Sequence, residues 1–307
     1  MGKRGVLMLQ RLVRCVIIGF WLGTMGTFLL REWQYHRSLP PALTESFTDA
    51  TTEPIEWHVF RRTRGPDGQW LEPMAVGVIV SQVQRDEQSG IVCIVHQLEM
   101  DVGQVWHELP IPESAGQLRL ESRLDAGLFG ELQRLRIVGG WSAWGRWLIM
   151  LDVIPRHDGE ATLRWMLNLP GGVWRQESAL PWSLKALPVN SLGPPDRLPS
   201  LRPGQSWALP WVNALRLSGV PGGVHTAVVE PRPVNLTWQG QTYSCLVVRV
   251  RQEPVEMQWW VAQQPPLRDV VLQQVVGWGN MELLVIRQTQ VTRQDLLVPP
   301  AWLYRMP

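Results

Sequence analysis

Lysine is all but missing from this chain. Only Lys3 and Lys185 occur, and the rest of the 29 Lys+Arg residues are arginine. Tyrosine (3) and phenylalanine (5) are scarce, while tryptophan (18) is abundant. Arg in place of Lys, and Trp in place of Phe and Tyr, is what a GC-rich genome encodes. The chain therefore reads as bacterial, and no single Arg or Trp carries a functional reading by itself. An excess of one charge is also missing, since 29 basic residues meet 27 acidic ones for a net charge of +2. That argues against a nucleic-acid partner, which calls for a strongly basic face. Three cysteines exclude a disulfide-dense mini-scaffold and every Cys-rich zinc module. With 45% hydrophobic and 18% charged residues the chain is not disordered. Its 307 residues suffice for one large domain or two small ones.

Motifs that carry chemistry are missing as well. None of His36, His58, His96, His107, His157 and His225 forms a metal pair at i, i+2 on a strand or i, i+4 on a helix. His107-Glu108 runs into Leu109-Pro110, so no His-Glu-x-x-His follows. No nucleophile elbow, phosphate loop or dinucleotide fingerprint appears. His96 shares a strand face with Val92, Ile94 and Leu98, which predicts a hydrogen-bonded core histidine. We therefore expect no catalytic, metal or cofactor-binding residues, no cofactor, and a protein that is not an enzyme.

What is there begins at the N-terminus. Lys3, Arg4, Arg11 and Arg14 precede an uncharged run from Cys15 to Leu30, closed by Arg31. Sixteen residues at ~1.5 Å each span about 24 Å, and snorkelling by Arg14 and Arg31 extends this towards a ~30 Å hydrocarbon core. Trp33 and Tyr35 follow as interfacial residues. Small residues for signal cleavage are absent after the run, which ends Thr27-Phe28-Leu29-Leu30-Arg31. The reading is a cytoplasmic tail (1–6), an uncleaved transmembrane anchor (7–31) and a stalk (32–54) holding Pro40, Pro41 and Pro54. The basic cluster keeps the N-terminus in the cytoplasm. The localisation expected is the bacterial inner membrane, single-pass, with the main domain periplasmic.

From Ile55 the pattern changes to short β-like runs separated by turns. The runs are Ile55–Thr63, Met74–Gln84, Ile91–Met100, Gln117–Leu124, Trp147–Ile154, Ala161–Leu169, Thr226–Glu230, Val234–Trp238, Thr242–Arg251, Val255–Ala262, Val270–Val276 and Met281–Gln290. Gly65-Pro66-Asp67-Gly68, Asp158-Gly159 and Gln239-Gly240 are hairpin turns. Ala126–Ile137, behind Asp125, fits a helix or another strand. A Pro-rich crossing spans 187–204, an exported β domain 55–292, and a C-terminal tail 293–307. Several runs are apolar on both faces, as in Thr242–Arg251 and Ile91–Leu98, and there are too few helices to cover a broad sheet. The fold class expected is mainly β: one large, curved antiparallel sheet with few helices, either enclosing an apolar interior or closed as packed sheets.

Two sets of residues stand out. Trp141, Trp144 and Trp147 lie at spacing three, like the Trp ladder of thrombospondin-type repeats, but without the Cys framework of those repeats. With Trp259 and Trp260 they are candidate ligand or interface aromatics, against a plain packing role. Cys93 and Cys245 sit mid-strand in the two halves and are either a disulfide or two buried free thiols.

Leu201-Arg202-Pro203-Gly204-Gln205-Ser206-Trp207 leads into strands, followed by Val234-Asn235-Leu236-Thr237-Trp238-Gln239-Gly240, Gln258-Trp259-Trp260-Val261-Ala262 and Val271-Leu272-Gln273-Gln274. An exported antiparallel sheet with long hairpins, crossed by a Pro-rich segment, resembles the half-barrel superfamily of periplasmic lipoprotein carriers and their lipid-binding relatives. The resemblance implies an apolar ligand in the concavity. The function expected is thus a membrane-anchored, non-enzymatic envelope protein that binds an apolar ligand or a lipidated partner in a curved sheet. The alternative is a bitopic scaffold subunit of a cell-envelope assembly. Partners expected are the inner membrane through the N-terminal helix, a lipid or lipoprotein, and envelope proteins, with no nucleic acid.

Overall fold

The computed structural model describes residues 53–86, 90–105, 116–127, 131–141, 148–156, 158–169, 171–181, 189–190, 193–212, 222–252 and 255–298. The expected tail, anchor and stalk, residues 1–52, lie outside this set. Among the described residues no helix is long and apolar enough to cross a membrane.

The described chain is mainly β, with a large, open antiparallel sheet and almost no helix. Its first wing is a meander of β1 (Ile55–Thr63), β2 (Met74–Asp86), β3 (Ile91–Asp101), β4 (Gln117–Ala126), β5 (Leu132–Trp141), β6 (Ile149–Pro155), β7 (Glu160–Leu169) and β8 (Gly172–Pro181). The second holds β9 (Val189–Asn190), β10 (Ser206–Val212), β11 (Gly222–Val229), β12 (Val234–Trp238), β13 (Gln241–Gln252), β14 (Val255–Ala262), β15 (Val271–Trp278) and β16 (Met281–Arg287). One helical turn, α1 (Val102–Val105), follows β3, and a 3-10 turn spans Gln294–Leu297.

The two wings join because the first strand pairs with the last. Trp57 to Thr63 of β1 lie antiparallel to Met281 to Arg287 of β16, and β2 takes the other side of β1. Fifteen strands stand in line as β8-β7-β6-β5-β4-β3-β2-β1-β16-β15-β14-β13-β11-β10-β9, with β12 off this path. β12 pairs with the first half of β13, and β11 with its last residues, so both share one side of that long strand. Their hairpin turns on Gln239-Gly240, both at positive φ (49° and 77°). That is the mirror-image turn whose twist matches the flanking strands.

Of the stretch Ala126–Ile137, the part from Leu132 is strand and not helix: β4 ends at Ala126 and β5 starts at Leu132. Leu135 and Ile137 pair with Leu124 and Ser122 across the ladder. Both side chains are fully buried, so their burial recurs every second residue, as on a strand. Asp125 caps nothing here and accepts from Arg123 Nε at 3.0 Å.

Ladder partners point to the same side, so the register assigns every strand residue to a face. One face is apolar. Trp57, Val59, Ile79, Leu98, Met100, Leu120, Leu135, Leu151 and Leu163 of the first wing lie in one buried cluster with Trp207, Val229, Val248, Met257, Trp259 and Val285 of the second. Burying a side chain of this kind stabilises by ~1.5–3 kcal/mol, which is why both wings are held to one core. The other face is polar across the first wing, with Glu99, Glu121, Arg123, Arg134 and Asp152. In the second wing it holds a smaller cluster of Trp238, Cys245, Ala262, Val270 and Leu272, against which Leu236, Tyr243 and Trp260 pack. The two-sided apolar pattern of β13 therefore has a local cause: on the other face Cys245 packs with Trp238, Ala262, Val270 and Leu272.

Candidate functional site

Of the candidate aromatics, Trp259 lies on the apolar face at 1% exposure. Its Nε1–H donates to Gln274 Oε1 at 3.1 Å, and Gln274 Nε2 donates to Met257 Sδ at 3.4 Å. This is a satisfied core tryptophan. Trp260 points to the other face and packs on the smaller cluster. Trp141 packs against the main cluster from the end of β5. Trp144 and Trp147 fall outside the described residues.

Cys93 and Cys245 are both free and buried. Each sits on the face opposite the main cluster, Cys93 on β3 and Cys245 on β13, with five strands between them. Six ladder spacings of ~4.8 Å separate them by about 29 Å along the sheet, far beyond the ~7 Å a disulfide spans. Burial pushes the Cys93 thiol up to about 12 and the Cys245 thiol to about 11.

Among the described residues the apolar face is closely packed by the main cluster. The chain must travel from β8, at one end of the strand order, to β9 and β10 at the other. Its Pro-rich segment crosses the sheet to do so. Leu198 N–H donates to Asp269 O at 2.9 Å and Val271 N–H to Asp196 O at 3.0 Å, which ties the segment to the start of β15. Leu198 is buried in the main cluster. Asp196 pairs with Arg287, whose guanidinium lies 5.5 Å from the Trp57 ring. Gly193 abuts the His96 ring so closely that a Cβ there would meet Nδ1 at 2.6 Å. His96 is the hydrogen-bonded core histidine that its strand face predicts, with Nδ1 2.7 Å from Ser81 Oγ. Burial holds its pKa down at about 4. It is neutral, enclosed and out of reach of a substrate.

On the polar face, residues beyond β16 form a strap instead of a hanging tail. Glu56, at 1% exposure, accepts from Thr292 N–H (2.6 Å), Thr292 Oγ1 (2.8 Å), Arg293 N–H (2.8 Å) and His58 Nε2 (2.8 Å). Burial alone would raise this carboxyl, but the hydrogen bonds outweigh it and hold the pKa below its ordinary value. Arg293 also bonds Glu99 (2.6 Å) and Asp295 (2.9 Å), and Leu296 is buried beyond it. A cavity of about 390 Å³ lies beside Cys93, lined by Arg85, Arg123, Asp125 and Arg134. Arg123 bonds Asp125, and Arg134 grips Asp152 through both Nε (2.7 Å) and Nη2 (2.5 Å). A second cavity, about 160 Å³, is lined by Glu99, Asp101, Gln104 and Arg293. Val76, Val78 and Met100 complete the wall of the smaller cavity, and Ile91 and Cys93 that of the larger. Among the described residues no group of three His, Cys, Asp or Glu side chains is placed to hold a metal ion.

The feature absent from the sequence reading is the sheet edge. β8 pairs with β7 through ten residues, from Glu160↔Pro181 to Leu169↔Gly172. Among the described residues its other side carries no ladder, although β11 comes within 8 Å of it between Cα atoms. Residues 171–177 are exposed on both faces, with Val173 at 48% and Trp174 at 49%. Its run Trp-Arg-Gln-Glu-Ser has no apolar alternation, and the only signal for a strand there was the Pro170-Gly171-Gly172 turn after β7. The two ends of the sheet are unequal, because the opposite one is blunted: β9 has two residues, and β10 beside it carries Pro210. No protein-family model, curated protein or solved structure matches this chain.

Proposed function

We propose that this chain is a non-enzymatic, single-pass protein of the bacterial inner membrane whose exported sheet is an interaction subunit of a cell-envelope assembly. A helix over residues 7–31 anchors it with the N-terminus in the cytoplasm, and the basic residues before the uncharged run support that orientation. The sheet curls about its apolar face in the manner of a half-barrel. Two observations support the curl: both wings share one buried cluster, and β8 comes within 8 Å of β11 between Cα atoms although the two lie near opposite ends of the strand order.

One observation carries the interaction reading: the described apolar face is closely packed, while among the described residues the long strand β8 has a ladder on one side only. Binding an acyl chain in the concavity needs room against apolar walls. Here Trp57, Trp259 and Leu198 are packed into that face, and the larger cavity described above lies on the polar face among arginines. An unpaired ten-residue strand, in contrast, offers a row of backbone donors and acceptors to an added strand. The test is a photo-crosslinking amino acid placed in cells at Trp174 or Gln176, with Gln258, mid-sheet on the polar face, as control. Discrete adducts from the β8 positions alone support the reading. Stoichiometric labelling by a photoactivatable fatty acid, with no adduct from β8, overturns it in favour of the apolar-ligand reading.

A further inference from the structure

Resting on that reading, we infer that the strand added at the β8 edge is β8 of a second copy of this chain, antiparallel about a two-fold axis through Gln176. Apart from Pro181 at its last position, the edge lacks the bulge, the lysines and the short length that keep edges apart. Its ladder with β7 runs without a register shift, so no bulge twists it away. Between Gly172 and Leu180 there is no proline and no lysine. Trp174 and Val173 are left in solvent on opposite faces.

The residues of β8 also say which partner fits. A two-fold pairing that keeps the same face on the same side joins residues of equal parity, so the axis must pass through a residue. Through Arg175 or Glu177 it would set like charges directly against each other. Through Gln176 it sets Arg175 opposite Glu177 of the second copy, twice, with Trp174 against Ser178 and Val173 against Ala179. Charges that merely guard an edge repel their own copies; these attract them. Arg175 faces Met166 within its own chain and has no ion pair among the described residues. Glu177 meets Arg164 at 2.9 Å, with both side chains more than half exposed, so it can be shared across the axis.

The experiment uses the full chain in detergent, with mass measured by light scattering. The wild type is expected to be a dimer. R175E sets carboxylate against carboxylate across the axis, and E177R sets guanidinium against guanidinium. Each is expected to weaken self-association at least tenfold and run as a monomer. Mixed in equal amounts, the two variants present opposite charges at both positions and should dimerise again. As a readout independent of charge, Q176C (with C15S) places a thiol on the axis and should oxidise to a linked dimer, while W174C should not. A monomeric wild type, single variants that dimerise like it, or a mixture that stays monomeric would overturn the self-pairing. If β8 then crosslinks a different protein in cells, the interaction reading stands and only the identity of the partner strand falls. If β8 crosslinks nothing, both fall.

Discussion

Protonation of His96 should unlock the apolar face. The ring is buried with its Nδ1 against Ser81 and one side covered by Gly193 of the Pro-rich crossing. Burial disfavours the imidazolium and moves the pKa from the ordinary 6.5 to about 4. The folded state therefore takes up the proton later than the unfolded chain does. Stability from this residue is whole above pH 6.5, falls as the pH drops from 6.5 towards 4, and levels off below. At 1.36 kcal/mol per pH unit the loss reaches about 2 kcal/mol at pH 5 and about 3 kcal/mol at pH 4. Glu56, held below the ordinary 4.5, adds an acid loss of its own, but only as pH falls below that value. Burial raises Glu121 towards this range, but that residue is common to wild type and H96Q, so their difference from pH 7.5 to 5 reports the histidine. The assay is urea unfolding followed by Trp fluorescence for wild type and H96Q at pH 7.5, 6 and 5. H96Q should be the less stable at pH 7.5, and the gap should narrow by about 2 kcal/mol at pH 5. A gap that stays constant across this range would refute the reasoning.

Trp57 and Trp259 are both fully buried, but Trp57 Nε1 has no hydrogen-bond partner and Trp259 Nε1 has Gln274. W57F removes an unsatisfied donor and W259F creates an unsatisfied amide, so W259F should cost at least about 2 kcal/mol more in denaturant unfolding; equal costs would sink the distinction. E56Q weakens the charge-assisted bonds to Thr292 and Arg293, and should cost about 1.5–3 kcal/mol and strip hydrogen-exchange protection from those two amides; unchanged protection would show that the strap is held by Leu296 alone. With thiol pKa values near 12 and 11, Cys93 and Cys245 should react with a disulfide reagent at pH 8 roughly a thousandfold more slowly than a free thiol until the protein unfolds. Rapid native labelling at either would contradict their burial.

Much of the sheet was legible because its strands are dense in β-branched residues and end at strong turns. The expected bounds of β1, β12 and β14 coincide with the observed ones, and most of the others shift by a few residues at their ends, where ladders outrun the apolar run. Arg85 and Asp86 extend β2 only because Val92 and Ile91 lie opposite. Hidden from local pattern was how the wings join. The pairing of Trp57 with Arg287 links residues 230 positions apart, and no periodicity encodes it. Both faces of β13 read as apolar for a reason visible only in three dimensions: Val248 and Val250 belong to the main cluster, whereas Cys245 and Tyr243 pack into the smaller one with Trp238, Ala262 and Leu272. Trp259 and Trp260 looked alike as neighbours in sequence, and the register sends them to opposite faces.

β8 escaped notice for the reason that makes it interesting. Apolar alternation marks a strand because one of its faces is buried, and a strand that buries neither face leaves no such trace. Among the described residues Val173, Trp174, Arg175, Gln176 and Glu177 form a ladder with β7 alone and are exposed on both faces. The same residues would be hard to explain in a chain that worked alone. A solitary sheet gains from a short or kinked edge, as β9 and β10 provide at the opposite end. Retaining ten residues in unbroken register at one edge only, with opposite charges two apart, makes sense where a second strand completes the ladder. The strand that carries the least information about the core thus carries the most about association.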